Sequence, residues 1–326
     1  MKRLISIAVS LIILAIIYSK IDFPRLIQVF QNCDRWWMAI SLSMVIPITM
    51  LTAWRLQQLM PNKRREANFL NFGEANRLIL AASVLNMVLP SKMGDIAKAY
   101  FMKERGHLNG ALSLSLVVFE KACDLLSLLL WCVFGLILYP YKDWFFWVMT
   151  GSVTLGLVIG LLLLSSRKFT QIFFILGRAI APKNFRPKIE NLRASWGEMY
   201  NYFWRDKTQL FKIASTSVFI WFLHLVQIWF FILALKAWTP FITNLALSPL
   251  AILAGLLPLT FAGVGTRDAA LIALYQPYFN APTAAALGLL CTSRYIIPAI
   301  AGLPFLRQYL ATLQTIRGNK KQSLRF

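Results

Sequence analysis

The run Leu112-Ser113-Leu114-Ser115-Leu116-Val117-Val118-Phe119-Glu120-Lys121-Ala122-Cys123-Asp124-Leu125-Leu126-Ser127, continuing apolar to Tyr139, decides the fold. A bilayer core about 30 Å thick is crossed by roughly 20 apolar helical residues. The run is long enough to span, and Glu120, Lys121 and Asp124 are its charges. Ser113, Glu120, Asp124 and Ser127 follow at spacings of 7, 4 and 3, so they share one helical face. A charge at the bilayer centre costs from about 2.5 to over 10 kcal/mol, so such groups face an interior, pair, or serve function. Lys121, three residues before Asp124, is placed to neutralise the pair in part. Arg294, the lone charge of the last apolar run, is the natural partner from the other end of the chain. A Glu120–Arg294 tie between helices is the plain structural reading, and it is compatible with a binding role.

The rest of the 326-residue chain fits the same class. It is 58% hydrophobic and only 14% charged, against roughly 25% charged for an ordinary soluble domain. Disordered, collagen-like and disulfide-rich secreted classes are excluded. Cys33, Cys123, Cys132 and Cys291 are too scattered for a disulfide framework or metal motif. Spans are expected at Leu4–Ser19, Trp36–Trp54, Leu112–Tyr139, Trp144–Ser166, Ile213–Leu235 and Thr283–Leu306. Leu4–Ser19 follows Lys2-Arg3 but lacks a small-x-small cleavage site, so it reads as an uncleaved first helix. Two runs are interrupted: Leu78–Ser91, which ends at Pro90, and Ala237–Thr266, broken by Pro240, Pro249, Pro258, Gly263 and Gly265. The expected fold is therefore an all-α polytopic membrane bundle, with six full spans and two re-entrant or broken helices.

Charge distribution orients it. With the N-terminus inside, the cytoplasmic pieces 1–3, 55–77, 92–111, 167–212 and 307–326 hold 26 of the 34 Lys and Arg, and the external pieces hold six. This is a strong positive-inside signal for a multi-pass protein of the cell (inner) membrane with both termini cytoplasmic. A full crossing at Leu78–Ser91 would carry Lys92, Lys98, Lys103 and Arg105 outside and weaken the bias, which favours re-entry. The chain is expected to be one membrane domain: a first half 1–166, an interfacial connection 167–212, a second half 213–306 and a basic tail 307–326. The connection mixes ten basic residues with Trp196, Tyr200, Tyr202, Phe203 and Trp204. That composition suits one or two helices on the inner leaflet beside anionic lipid. The net charge of +21 is thus accounted for by topology and lipid, and no nucleic-acid partner is expected.

The two broken runs echo each other. One reads Leu85-Asn86-Met87-Val88-Leu89-Pro90-Ser91-Lys92-Met93-Gly94-Asp95, the other Leu253-Ala254-Gly255-Leu256-Leu257-Pro258 through Gly263-Val264-Gly265-Thr266-Arg267-Asp268. Each is an apolar half-helix, a proline, a glycine-bearing turn and an acidic residue opening a second helix. Paired breaks in two oppositely oriented halves point to a transporter's midplane site. Prolines that merely kink ordinary spans are the alternative. The candidate substrate-binding residues are Lys92, Gly94, Asp95, Glu120, Lys121, Asp124, Gly263, Gly265, Arg267, Asp268 and Arg294, with helix breaks at Pro90 and Pro258. His224, a lone histidine in an aromatic run, reads as core packing. No hydrolase elbow, zincin motif, P-loop or dinucleotide fingerprint is present. No catalytic residue, cofactor or metal is expected, though Glu120 and Asp124 keep open a transfer reaction on a lipid carrier.

On these motifs the chain resembles the lysylphosphatidylglycerol synthase transmembrane-region family, the flippase-like, UPF0104-type membrane proteins. The family's Pro-x-basic-x-Gly-Glu-x-x-Arg stands here as Pro90-Ser91-Lys92-Met93-Gly94-Asp95-Ile96-Ala97-Lys98, its Glu-basic-x-x-Asp as Glu120-Lys121-Ala122-Cys123-Asp124, and its late Pro–Gly-x-Gly-x-x-Glu as Pro258 through Gly263-Val264-Gly265-Thr266-Arg267-Asp268. Asp95 and Asp268 replace the usual Glu, and Lys98 replaces Arg. Charge is kept while reach shortens by a methylene at the two acids. The resemblance covers roughly residues 4–310. It implies membrane lipids as partners, an anionic phospholipid or lipid-linked headgroup, and movement of such a group across the membrane. The alternative is a lipid transferase or an accessory subunit of one, with a separate soluble transferase as partner. No polar stretch exceeds about 46 residues, so the family's soluble aminoacyl-transferase domain is not expected. Reporter fusions test the orientation: a fusion after Lys142 is expected to read as periplasmic and one after Lys321 as cytoplasmic. The reverse pair would sink the topology.

Overall fold

A computed structural model of the chain describes residues 23–60, 70–88, 93–106, 108–139, 141–181, 186–256 and 265–322. The expected first span Leu4–Ser19 and Pro90, Lys92, Pro258 and Gly263 lie outside them. In chain order the helices are α1 (Phe23–Gln31), α2 (Arg35–Ser43), α3 (Val45–Leu59), α4 (Phe72–Val88), α5 (Met93–Gly106), α6 (Gly110–Leu138) and α7 (Trp144–Ser165). They continue as α8 (Arg167–Ile180), α9 (Arg186–Arg205), α10 (Lys207–Ala234), α11 (Phe241–Gly255), α12 (Thr266–Tyr275) and α13 (Ala281–Gln322).

Among the described residues five stretches are long and apolar enough to cross a membrane: Arg35–Leu59, Gly110–Leu138, Trp144–Ser165, Lys207–Ala234 and Ala281–Leu306. Each begins behind an Asp or Asn. Asp34 accepts from the Trp36 and Trp37 amides, Asn109 from Ala111, Asp143 from Phe146, Asp206 from Gln209 and Asn280 from Thr283, all at 2.9–3.0 Å. A helix leaves its first amides without intrahelical partners, and a short side-chain acceptor satisfies them before the chain enters lipid. The first of these stretches is interrupted at Met44, between α2 and α3. Pro47 follows, and its missing N–H leaves the Ser43 carbonyl without its helical donor.

Both interrupted runs are helical hairpins. α4 packs along α5 and α11 along α12, and the turns between them fall outside the described residues. Long-range contacts sort the helix ends onto two faces. On one, the Asp34 amide donates to the Ala234 carbonyl at 2.7 Å. Tyr139, Tyr141, Trp144 and Trp147 cluster near that end, an aromatic belt suited to a membrane interface. On the other, Tyr200 and Trp204 of α9 donate to the Ser165 and Leu164 carbonyls at 2.7 and 2.8 Å. Two apolar cores result. One joins α6, α10, α11, α12 and α13 around Leu225, Phe231, Leu250 and Tyr275. The other joins α3, α4, α5, α6 and α9 around Leu56, Leu78, Met102 and Phe203.

The connection 167–212 forms α8, α9 and the first turn of α10. α9 buries Trp196, Met199 and Phe203 beneath the bundle, with Phe203 stacked on Phe119 at 4.5 Å. α8 turns Ile172, Phe173, Ile175, Leu176 and Ile180 outward, the apolar face of an interfacial helix.

Two sequence expectations change. The span expected at Trp36–Trp54 runs on to Leu59, so Arg55 is not the first residue of a cytoplasmic loop but a side chain buried to 1% exposure. Lys98, counted with the cytoplasmic charges, is equally buried. The basic stretch from residue 307 is helical to Gln322, as a continuation of α13.

The hairpins lock to the opposite half of the chain. α4 lies along α13 and α11 along α6. Gly302 of α13 sits against the Leu80 carbonyl of α4, and Gly135 of α6 sits against the Ala246 carbonyl of α11. A Cβ at either position would overlap backbone, so only glycine permits the approach. Small residues at helix crossings are the usual means of close packing in lipid. Gly135→Leu and Gly302→Leu are each expected to lower stability in detergent by at least about 1–3 kcal/mol, the usual cost of overpacking. Gly151→Leu on α7, where a Cβ meets nothing within 4 Å, is expected to leave the melting temperature unchanged. Equal melting of all three variants would refute the glycine contacts.

A charged cavity between the two halves

The polar face of α6 is an interior face: Ser113 and Glu120 are fully buried and Ser127 is 3% exposed. Helix period carries Arg55 onto the face of Thr52 and Ile48, three and seven residues before it, and aims it at α6. Its guanidinium gathers three elements. Nη2 donates to Glu120 Oε1 at 2.9 Å, Nη1 donates to Asp124 Oδ1 and to Ser217 Oγ of α10, the latter at 2.8 Å. The second Glu120 oxygen accepts from Lys98 of α5. Lys121 stands 3.5 Å from both Asp95 Oδ1 and Asp124 Oδ2, and Lys98 is 3.8 Å from Asp95. Each of these three carboxylates thus has two cations within 4.0 Å.

This network borders a cavity of about 220 Å³. α3 contributes Thr49, Thr52 and Arg55, and α4 contributes Ser83 and Asn86. α5 and α6 supply the charges just named, α10 supplies His224 and Gln227, and α13 supplies Arg294 and Tyr295. The cavity therefore lies between the two halves of the chain.

Of the residues singled out in the sequence, Asp95, Glu120, Lys121, Asp124 and Arg294 line this one space. Gly94 is buried where α5 meets α4, flush against Ala82 and Asn86. Arg267 and Asp268 do not line the cavity. Arg267 donates to Asp268 Oδ1 at 2.7 and 3.0 Å, to the Gly288 carbonyl at 2.9 Å and to Thr292 Oγ1 at 2.8 Å. Asp268 accepts from the Gly265 amide at 3.1 Å. The pair clamps the start of α12 onto α13, with Gly265 at φ 103°, a left-handed conformation that favours glycine.

Arg294 does not pair with Glu120, because Arg55 and Lys98 already hold both oxygens of that carboxylate. Arg294 is 8% exposed, its Nε has no hydrogen-bond partner, and no described carboxylate lies within 4.0 Å of it. The Cys291 thiol, a weak hydrogen-bonding group, lies against its guanidinium. His224, expected as core packing, lines the cavity instead. Sequence reading missed Arg55, Lys98, Asn86 and Gln227 as site residues. Arg55 hid at the end of an apolar run, where a charge reads as a loop marker. Its signal was the unbroken helical spacing from Ile48 through Thr52 to Leu59. Lys98 had a signal in its i,i+3 spacing from Asp95. No group of three His, Cys, Asp or Glu suited to a metal occurs among the described residues.

Membrane-spanning helices enclosing a charged cavity, with two hairpins entering the bundle, define a polytopic helical membrane protein whose polar chemistry is internal. The chain belongs to the lysylphosphatidylglycerol synthase TM region family, whose model matches residues 3–302. It is also similar to a UPF0104 membrane protein of Methanocaldococcus jannaschii, with 22% identity over 322 residues, covering 92% of this chain and 93% of the relative. No solved structure matches it.

Removing one partner of a buried ion pair strands the other and costs about 3–5 kcal/mol. Arg55→Ala is expected to destabilise the protein by that order, and Arg55→Ala with Asp124→Asn to recover part of the loss. Thermal unfolding in detergent checks this. A single variant as stable as wild type would refute the network.

Proposed function

We propose that the protein is a flippase-like transporter that moves a lipid headgroup, or a small lipid-linked polar group, through the cavity between its halves. The observation that carries this is a charged cavity at the depth of the spans, walled by helices from both ends of the chain. Charge held there is costly and in membrane proteins marks substrate or ion pathways.

The element order fits an inverted repeat, which would support the reading. Each half runs span, hairpin, span: α2–α3, α4–α5, α6, and then α10, α11–α12, α13. Pro90 precedes Gly135 by 45 residues and Pro258 precedes Gly302 by 44, and both glycines seat the opposite half's hairpin. Asp95 precedes Glu120 by 25 residues and Asp268 precedes Arg294 by 26. With both termini cytoplasmic, the first hairpin enters from the cytoplasm and the second from outside. The first hairpin lines the cavity through Ser83, Asn86, Asp95 and Lys98, and the second packs on α6 and α13, which line it; breaks entering from opposite faces fit alternating access. Rocking one half against the other would open the cavity to each side in turn. Membership of a family named for a lipid synthase is consistent with a lipid cargo in the cell membrane. The transferase alternative is weaker, because Glu120 and Asp124 are both held by cations. Neither carboxylate stands ready as a free general base.

Purified protein in liposomes with headgroup-labelled phospholipid and lipid-linked sugar tests this. Wild type is expected to move labelled lipid between leaflets without changing it chemically, and Glu120→Gln and Arg294→Ala are expected to lose that activity. A covalently altered lipid formed by the purified protein alone would overturn the proposal.

A further inference from the structure

We infer that the cavity selects a net-anionic headgroup, a phosphate ester carrying hydroxyls, with Arg294 as the phosphate anchor. The inference rests on reading the cavity as a headgroup site and adds its charge selectivity.

Charge is the first ground. Among the described lining residues, four cations (Arg55, Lys98, Lys121 and Arg294) face three carboxylates (Asp95, Glu120 and Asp124). The ion pairs use three cations for those three carboxylates and leave Arg294 over. An isolated buried charge is unfavourable until it meets a counter-charge. The cavity therefore has one positive charge to give and no spare negative charge to hold an amine. A guanidinium meets phosphate oxygens with strong, directional charge-assisted hydrogen bonds.

Unsatisfied groups are the second ground. Arg294 Nε is a buried donor and Asn86 Oδ1 a buried acceptor, both without hydrogen-bond partners. Both residues line the same cavity. Buried polar atoms are almost always paired, so orphans on one space point to a missing partner. Arg294 needs an acceptor and Asn86 needs a donor. A phosphate ester with hydroxyls supplies both. A volume of about 220 Å³ equals that of about seven waters, room for one phosphorylated small polyol.

Binding, not movement, is the test. The protein in phosphatidylcholine nanodiscs is titrated with short-chain phosphatidylglycerol, lysyl-phosphatidylglycerol and phosphatidylcholine. Wild type is expected to bind phosphatidylglycerol at least tenfold more tightly than either. Arg294→Gln is expected to abolish that preference, and Arg294→Lys to keep part of it. Equal or tighter binding of the lysyl lipid by wild type overturns the inference, and that comparison needs no variant to fold. A preference that survives in a folded Arg294→Gln also overturns it. Free glycerol phosphate is expected to compete more weakly than the lipid, and equal competition would overturn a lipid source for the ligand. Binding preference intact without movement would sink transport alone. Movement intact with a cationic preference would sink only this inference.

Discussion

A guanidinium buried at the depth of the hydrocarbon is the constraint on which the structure turns. Arg55 is 1% exposed, and an unpaired charge there would cost at least several kcal/mol. It is tolerable only if carboxylates and a hydroxyl are delivered to it. Those come from Glu120 and Asp124 on α6 and Ser217 on α10. One side chain therefore ties α3, α6 and α10, and Lys98 brings in α5 through the far oxygen of Glu120. The hairpin that carries Lys98 is anchored by charge as well as by its apolar face.

The backbone faces the same demand. Lipid offers no hydrogen bonds, so every helix start and every break must be satisfied within the protein. The spans meet this with Asp and Asn caps, and the second hairpin meets it with Asp268 on the Gly265 amide and Arg267 on the Gly288 carbonyl. Gly135 and Gly302 then let carbonyl-bearing backbone come close enough for each hairpin to be covered by the other half. Apolar cores at the two ends hold the cavity between them. The polar volume is thus supported from both sides.

The distribution of charge within that volume gives the site its character. Had the carboxylates been left unpaired, the same residues would suit a cation or an acid–base step. Because Arg55, Lys98 and Lys121 occupy them, the polar groups left over are Arg294 and Asn86. One wall is a neutral, saturated lattice, and the other carries a cation with no carboxylate within 4.0 Å among the described residues.

Much of this was legible in the sequence. Length and apolarity fixed the helical membrane class, because lipid admits few alternatives to helices for a chain of long apolar runs. The 7-4-3 spacing fixed the interior face of α6, since period is a local property. Proline and glycine marked both hairpins for the same reason. The partnership of charges was not legible. Glu120 could be matched with Arg294 by plausibility alone, whereas the fold gives it to Arg55 and Lys98, residues 65 and 22 positions away. Likewise Arg267 and Asp268 share a motif with the site but close on each other at the α13 contact. Which charge meets which depends on helix tilt, on where a span ends and on close approach at single glycines. These are long-range properties, and only the tertiary structure decides them.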